Sequence, residues 1–516
     1  MSVLATPAPE TYLSEGTGLS EGTGHDPSQL SAFRAAYPGY QETTALDALR
    51  ASDYSYLDGE RQIYLDYTGA GLPAEAQLSA HAARLRGRCF GNPHSENPTS
   101  TASTELIERT RRAVLDYFRA SPDEYAVIFT PNASAACRLV GEAYPFGRQS
   151  RFVLTSDNHN SVNGIREFAR ARGAATGYVG LTSPELRVDD DAVRAALGRA
   201  RPRPAGAARH RRVPATARPG SGRRGLFAFP AQSNFSGVQH PLHLIDLAHS
   251  RGYDVLLDAA AYVPSNRLDL SVVHPDFVPV SWYKMFGYPT GVGSLIARRE
   301  ALARLRRPWF AGGTISAVSV QADWHQALDG EAGFEDGTPS FLNVPDVAFG
   351  LSWIGGIGID RIHQRVTCLT GWMLSRLAGL RHGNGQPMAR IYGPADTRDR
   401  GGTVTFNLLD SGGVFVDAGA VARETSAAGI SVRTGCFCNP GASEAAFGLT
   451  KSDLAKSRWQ GAGSTDLYLQ SIGRPGGAIR ASAGLASTVE DVERFLTLLE
   501  STYRDQARDG IALPAA

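Results

Sequence analysis

Lysine is nearly absent from this chain. Of 52 basic side chains in 516 residues, Lys284, Lys451 and Lys456 are the only lysines, and arginine supplies the rest. Cysteine is scarce as well. Cys89, Cys137, Cys368, Cys436 and Cys438 are too few for a disulfide framework in so long a chain, which points to a reducing cytoplasm. Neither sign of charge is in excess, since 51 acidic residues leave a net charge of +1, so no global field draws the protein to nucleic acid or an anionic membrane. No stretch approaches the ~18 continuous apolar residues of a membrane span. The start, Met1-Ser-Val-Leu-Ala-Thr-Pro, has neither the basic n-region nor the apolar h-region of a signal peptide. No nucleic-acid or membrane partner is expected.

With 42% hydrophobic residues, the chain can bury a large core and divide into two domains. Residues 1–28 carry the tandem repeat Leu13-Ser-Glu-Gly-Thr-Gly-Leu-Ser-Glu-Gly-Thr-Gly and nothing to build a core, so a disordered tail is expected there. From 29 to 355, strand-like runs alternate with helical patterns: 126–130, 151–155, 226–230, 254–258, 277–280 and 294–297 read as strands, while 74–88 and 103–119 read as helices. This rhythm predicts an α/β domain with a mostly parallel central sheet wrapped by helices. Residues 199–224, rich in Arg, Pro, Ala and Gly, interrupt it as an exposed insertion. Residues 356–510 read as a smaller α+β domain, with strands at 402–408 and 478–482 and a closing helix over 488–503.

Against this arginine-rich background, Lys284 stands out. It lies in Ser281-Trp-Tyr-Lys-Met-Phe-Gly, between an apolar β-branched run and a glycine-rich turn. Arginine cannot replace a lysine whose task is a Schiff base, because only a primary amine condenses with an aldehyde. A lysine spared here suggests pyridoxal 5'-phosphate (PLP). Upstream, Leu256-Leu-Asp-Ala-Ala-Ala reads as a buried strand ending in Asp258, a carboxylate suited to keeping a pyridine nitrogen protonated. Cys436 and Cys438 lie in the turn-rich segment Arg433-Thr-Gly-Cys-Phe-Cys-Asn-Pro-Gly-Ala, where a mobile loop could deliver a thiol to a substrate. No second Cys or His pair lies close by, so no metal site is expected.

Several further segments extend the pattern: Tyr64-Leu-Asp-Tyr-Thr-Gly-Ala, Gly91-Asn-Pro-His-Ser, Asn158-His-Asn-Ser-Val, Phe229-Pro-Ala-Gln-Ser-Asn-Phe-Ser-Gly and Phe334-Glu-Asp-Gly-Thr-Pro-Ser-Phe. Together they resemble the fold-type I PLP enzymes of the class V aminotransferase and cysteine desulfurase group. Within that group they are similar to the desulfurase domain of the eukaryotic molybdenum cofactor sulfurases, over about residues 50–500. The resemblance implies that Lys284 holds PLP, Asp258 pairs with its ring nitrogen and His159 stacks on its ring. It implies a phosphate site at Ala133 and Ser134 with Ser281 and Tyr283, an asparagine beside the cofactor at Asn234, and a loop at Gly313 and Thr314 that reaches the partner's phosphate in a homodimer. It implies Arg480, with Asn234, at the substrate carboxylate, Cys438 as the nucleophile and L-cysteine as the substrate. A persulfide on Cys438, release of L-alanine, and a sulfur acceptor that is the molybdenum cofactor or a pathway-specific carrier then follow. Two departures stand out. Many desulfurases have glutamine where this chain has Ala261, and the family's frequent third cysteine is Ser443 here. Two alternatives stay open at this point: another class V reaction (a C–S lyase, epimerase or transaminase), and a non-catalytic scaffold or RNA-binding protein.

Overall fold

Seven strands form the central sheet: β1 (Tyr125–Thr130), β2 (Arg151–Thr155), β3 (Ala175–Val179), β4 (Gly225–Pro230), β5 (Tyr253–Asp258), β6 (Phe277–Ser281) and β7 (Gly293–Arg298), in the spatial order β1-β7-β6-β5-β4-β2-β3. The computed structural model describes residues 27–198, 225–457, 468–469 and 471–506. The expected N-terminal tail up to residue 26 and the 199–224 insertion lie outside the described residues.

The expected mostly parallel sheet is present, with one exception. β7 runs antiparallel to both neighbours, β1 and β6. A parallel return needs a crossover of a dozen or more residues, whereas only the short helix Trp282–Phe286 and a turn separate β6 from β7. Both faces of the sheet are covered, and the strand period of two divides its side chains between two cores. Val127, Phe129, Phe227, Phe229, Val255 and Leu257 enter one core. Ala126, Ile128, Leu226, Ala228, Leu256 and Phe277 enter the other.

Sequence reading missed β3. It pairs with β2 at the sheet edge, and most of Ala-Thr-Gly-Tyr-Val is exposed or half-buried, so no apolar run announces it. The helix expected over 103–119 begins earlier, at Pro98, because the Asn97 side chain accepts the Ser100 N–H at 3.0 Å and Pro98 suits the first helical position. Its buried stripe runs through Ser103, Ile107, Thr110 and Val114.

A second, four-stranded antiparallel sheet follows: β8 (Ala389–Tyr392), β9 (Thr403–Leu408), β10 (Arg433–Gly435) and β11 (Ala478–Ser482), in the order β8-β9-β11-β10. Its core draws residues from both ends of the chain. Phe33, Tyr40, Ile63 and Leu65 pack with Phe406, Ile479 and the Phe495 face of the closing helix Val489–Tyr503. Among the described residues, no helix is long and apolar enough to cross a membrane.

Candidate active site

The chemistry-bearing residues gather beyond the carboxyl ends of the sheet strands. Asp258 ends β5, Ser281 ends β6, and His159 follows β2. Asn132 and Ala133 follow β1, and Asn234 follows β4. In open α/β sheets this edge forms the ligand crevice, because the connections to the next helices splay apart there.

Lys284 sits in the single helical turn Trp282–Phe286 directly after β6. The turn is pressed against residues 69–73. The Tyr283 carbonyl accepts the Gly71 N–H at 2.9 Å. A Cβ at Gly71 would lie 2.8 Å from the Gly287 nitrogen, and one at Gly287, where φ is +73°, would lie 2.1 Å from the Leu72 carbonyl carbon. Both positions require glycine. Lys284 is half-buried and forms no ion pair among the described residues. Burial holds its ammonium below the ordinary lysine range, with Arg480 and Arg433 pushing the same way and Asp258 and Asp66 opposing.

That depression has a testable sign. The unfolded chain binds the Lys284 proton more readily than the folded chain, so the stability this group contributes is complete above the ordinary lysine pKa and is lost as pH falls through the folded-state value. Lys284→Met in the ligand-free protein is therefore expected to melt at a higher temperature than the wild type at neutral pH, with the gap closing as pH rises into the lysine range. Thermal melts across that pH series check it, and a gap that widens with pH would contradict it.

Asp258 accepts the Ala260 N–H on Oδ1 at 3.0 Å. His159 caps the short helix Asn160–Asn163, its Nδ1 accepting the Ser161 N–H at 3.1 Å. Burial lowers its pKa, partly opposed by Asp258. A neutral ring that accepts at Nδ1 carries its proton on Nε2.

Facing these groups is the N-terminus of the helix Ala133–Ala143. The Ala133 N–H donates to Ser281 Oγ at 3.1 Å, and the Ala135 N–H donates to the capping Asn132 side chain at 2.9 Å. The Ser134 hydroxyl lies 2.6 Å from that of Ser161. Hydroxyls and amide donors at a helix N-terminus make an anion cradle. A small pocket borders Lys284 on the side of Tyr67, Thr68, Gln232, Ala261 and Thr403.

The small sheet contributes the rest. Arg480 on β11 is buried and stands directly opposite Arg433 on β10. Like charges in cross-strand register repel. Asp66 resolves the conflict, its Oδ1 at 2.9 Å from Arg480 Nη2 and its Oδ2 at 2.6 Å from Arg433 Nη2. Sequence reading assigned no role to Asp66 or Arg433; the available signal was the placement of Asp66 just before a glycine-rich turn. Asp66→Ala strands the buried Arg480 charge and is expected to cost about 3 kcal/mol. Urea denaturation should show a lower midpoint with an unchanged m-value, and an unchanged midpoint would contradict the bridging role.

Cys436 and Cys438 are both exposed, and the Phe437 side chain between them is buried. The expected mobile loop is instead an anchored turn. The Cys438 carbonyl accepts the Asn160 N–H at 2.7 Å, which ties the turn to the residue after His159. Asn439 donates from Nδ2 to the Asp157 carbonyl and to Asn234 Oδ1, both at 2.8 Å. Asn234 donates in turn to the Phe437 carbonyl at 2.8 Å, so its amide serves the cysteine turn. Phe437 and Cys438 are both left-handed, with φ of +56° and +55°. Each such non-glycine residue costs about 1–2 kcal/mol, which the anchors offset.

Lys284, Asp258, His159, Ala133, Ser134, Ser281, Tyr283, Asn234, Arg480 and Cys438 thus belong to one connected region. Gly313 and Thr314 are occupied elsewhere: the Thr314 hydroxyl closes its own turn by donating to the Ala311 carbonyl at 2.8 Å, and a Cβ at Gly313 would meet His94 and the Gly337 carbonyl. They lead into an exposed hairpin, Ile315–Ser319 with Trp324–Ala327, that sequence reading did not predict.

A family model described as Aminotransferase class-V matches residues 221–495. A protein named Molybdenum cofactor sulfurase from Solanum lycopersicum is 35% identical over 486 residues, covering 91% of this chain and 58% of that protein. One of the same name from Homo sapiens is 36% identical over 500 residues, covering 93% of this chain and 53% of that protein. The chain therefore spans little more than half the length of these relatives. Among solved structures, the apo cysteine desulfurase of Thermococcus onnurineus NA1 matches with a TM-score of 0.70 at 24% identity, covering 88% of this chain and 97% of that one. The shared fold is the fold-type I architecture.

Proposed function

The chain belongs to the class-V aminotransferase family, and on that footing we propose that it is a PLP-dependent L-cysteine desulfurase that collects sulfur as a persulfide on Cys438. The observation that carries this reading is the exposed Cys438 on a turn whose carbonyl is bonded to Asn160, the residue after His159. The residues fit the cofactor: an anion cradle, a strand-end carboxylate, an imidazole and a primary amine with no ion pair among the described residues converge on one crevice.

Ala133, Ser134, Ser281 and Tyr283 would hold the phosphate, Asp258 the ring nitrogen, and His159 the ring face, with Asn234 at the margin. Bound PLP supplies an electron sink for negative charge developing on the substrate. The chain's own residues do the rest. Arg480 receives the L-cysteine carboxylate, its planar fork suited to two parallel hydrogen bonds. Lys284, its pKa lowered by burial, moves a proton from Cα as a base and returns it as an acid. His159 offers a proton at Nε2. The Cys438 thiolate attacks the substrate sulfur: an S–S bond forms, the Cβ–S bond breaks, and its electron pair stays with the three-carbon fragment, which takes up a proton and leaves as L-alanine. The sulfane sulfur remains on Cys438.

From there, sulfur passes to the molybdenum cofactor or a pathway-specific carrier, a destination suggested by the names of the tomato and human relatives. The setting in this reading is the reducing cytoplasm, and the working unit is a homodimer in which Gly313 and Thr314 serve the partner's phosphate site. Incubation with PLP and radiosulfur-labelled L-cysteine tests the reading. Label should appear on the Cys438 peptide, be released by a thiol reductant and match L-alanine in amount. Alanine formed without label on the protein would favour a lyase.

A further inference from the structure

The geometry points to Phe437 as the residue that couples recognition of the substrate carboxylate to presentation of the sulfur-accepting thiol, an inference that rests on the desulfurase reading and deepens it. Phe437 separates two exposed cysteines, yet its own ring is buried. One side of the ring packs on Phe235, with centroids 5.5 Å apart. The guanidinium carbon of Arg480 stands 4.7 Å from the ring centroid, within cation–π range. Hydrogen bonds close the circuit: Arg480 Nη1 donates to the Asn234 carbonyl at 3.0 Å, and Asn234 Nδ2 donates to the Phe437 carbonyl at 2.8 Å.

The ring of residue 437 is therefore held by Arg480 itself, and its carbonyl by Asn234, whose own backbone carbonyl accepts from Arg480. With these two points pinned, the backbone turns left-handed at Phe437 and again at Cys438, leaving the Cys438 side chain exposed between a buried Phe437 and a buried Asn439. A carboxylate arriving at Arg480 shares the cation with the ring and with the Asn234 carbonyl, so both restraints on residue 437 respond together. The signal has one residue to cross. An apolar plug would need only an apolar filling, most of which leucine supplies; the coupling needs a π face, which leucine lacks. Phe437 is in this sense a positioning residue that acts through Cys438.

The test uses the PLP-loaded full chain as wild type, Phe437→Leu and Phe437→Tyr, with visible cofactor absorbance confirming fold and loading. Alkylation of Cys438 by iodoacetamide is followed on its own peptide, with and without saturating L-alanine, which carries the carboxylate but no sulfur. In the wild type, L-alanine is expected to change the Cys438 alkylation rate by about fivefold, a typical coupling between sites. In Phe437→Leu the response should vanish and kcat should fall by about a hundredfold with KM little changed, the pattern of a misplaced nucleophile. Phe437→Tyr should restore both. A leucine variant that keeps the L-alanine response or the wild-type kcat would overturn the coupling, as would a wild type whose Cys438 is indifferent to L-alanine. The desulfurase reading fails separately, if Cys438→Ala still releases alanine.

Discussion

Lys284→Ala is expected to lose borohydride-fixable PLP and to lower turnover by about a thousandfold or more, the scale on which removal of a covalent catalyst acts. The scarcity of lysine sharpens this expectation. The other two lysines, Lys451 and Lys456, lie exposed on the surface helix Lys451–Ser457 and contribute nothing to the crevice. Lys284→Arg should fail in the same way, since a guanidinium keeps the charge but offers no amine for condensation. Treatment with PLP and borohydride, followed by peptide mass analysis, checks both variants. Modification of the Lys284 peptide in the wild type and of no peptide in either variant is the expected outcome. Wild-type PLP fixation in Lys284→Ala would sink the assignment.

Cys438→Ala should retain PLP and still bind L-cysteine, yet lose alanine release and persulfide by a comparable factor. Cys436→Ala should keep most of its activity. The two thiols are near in sequence and both exposed, but their backbones are engaged differently: the carbonyl of Cys438 is bonded to Asn160, beside His159, whereas that of Cys436 accepts the Asn439 N–H within the turn itself. A buried, left-handed Phe437 stands between the two side chains and Cys438 is itself left-handed, so neither thiol can take the other's position without dismantling the anchors. Alanine assays and persulfide labelling on the two single variants decide the matter. Full alanine production by Cys438→Ala would reject the persulfide route and favour a lyase or transaminase, and the reverse pattern would move the nucleophile to Cys436.

The sequence by itself determined the groups whose chemistry admits no substitute and the elements whose patterns are local. A primary amine, a strand-end carboxylate and a cysteine in a turn are legible because Lys284, Asp258 and Cys438 each stand in a short segment with its own signature. Six of the seven central strands are legible because their buried runs are continuous. Tertiary structure alone decided the rest. β3 escaped notice because an exposed edge strand needs no apolar run, and β7 runs antiparallel because its connection is too short for a crossover, a matter of strand direction that hydrophobic pattern does not encode. The bridge between Arg433 and Arg480 was invisible because Asp66 lies 414 positions from Arg480 in the chain, and charge balance at the buried Arg480 depends on proximity in space. The same holds for the cysteine turn. A string of small polar residues and glycine reads as mobile until Asn234, Asn160 and Asp157 arrive from distant strand ends to bind its backbone, because hydrogen bonds hold a loop only where folding has brought their partners within reach.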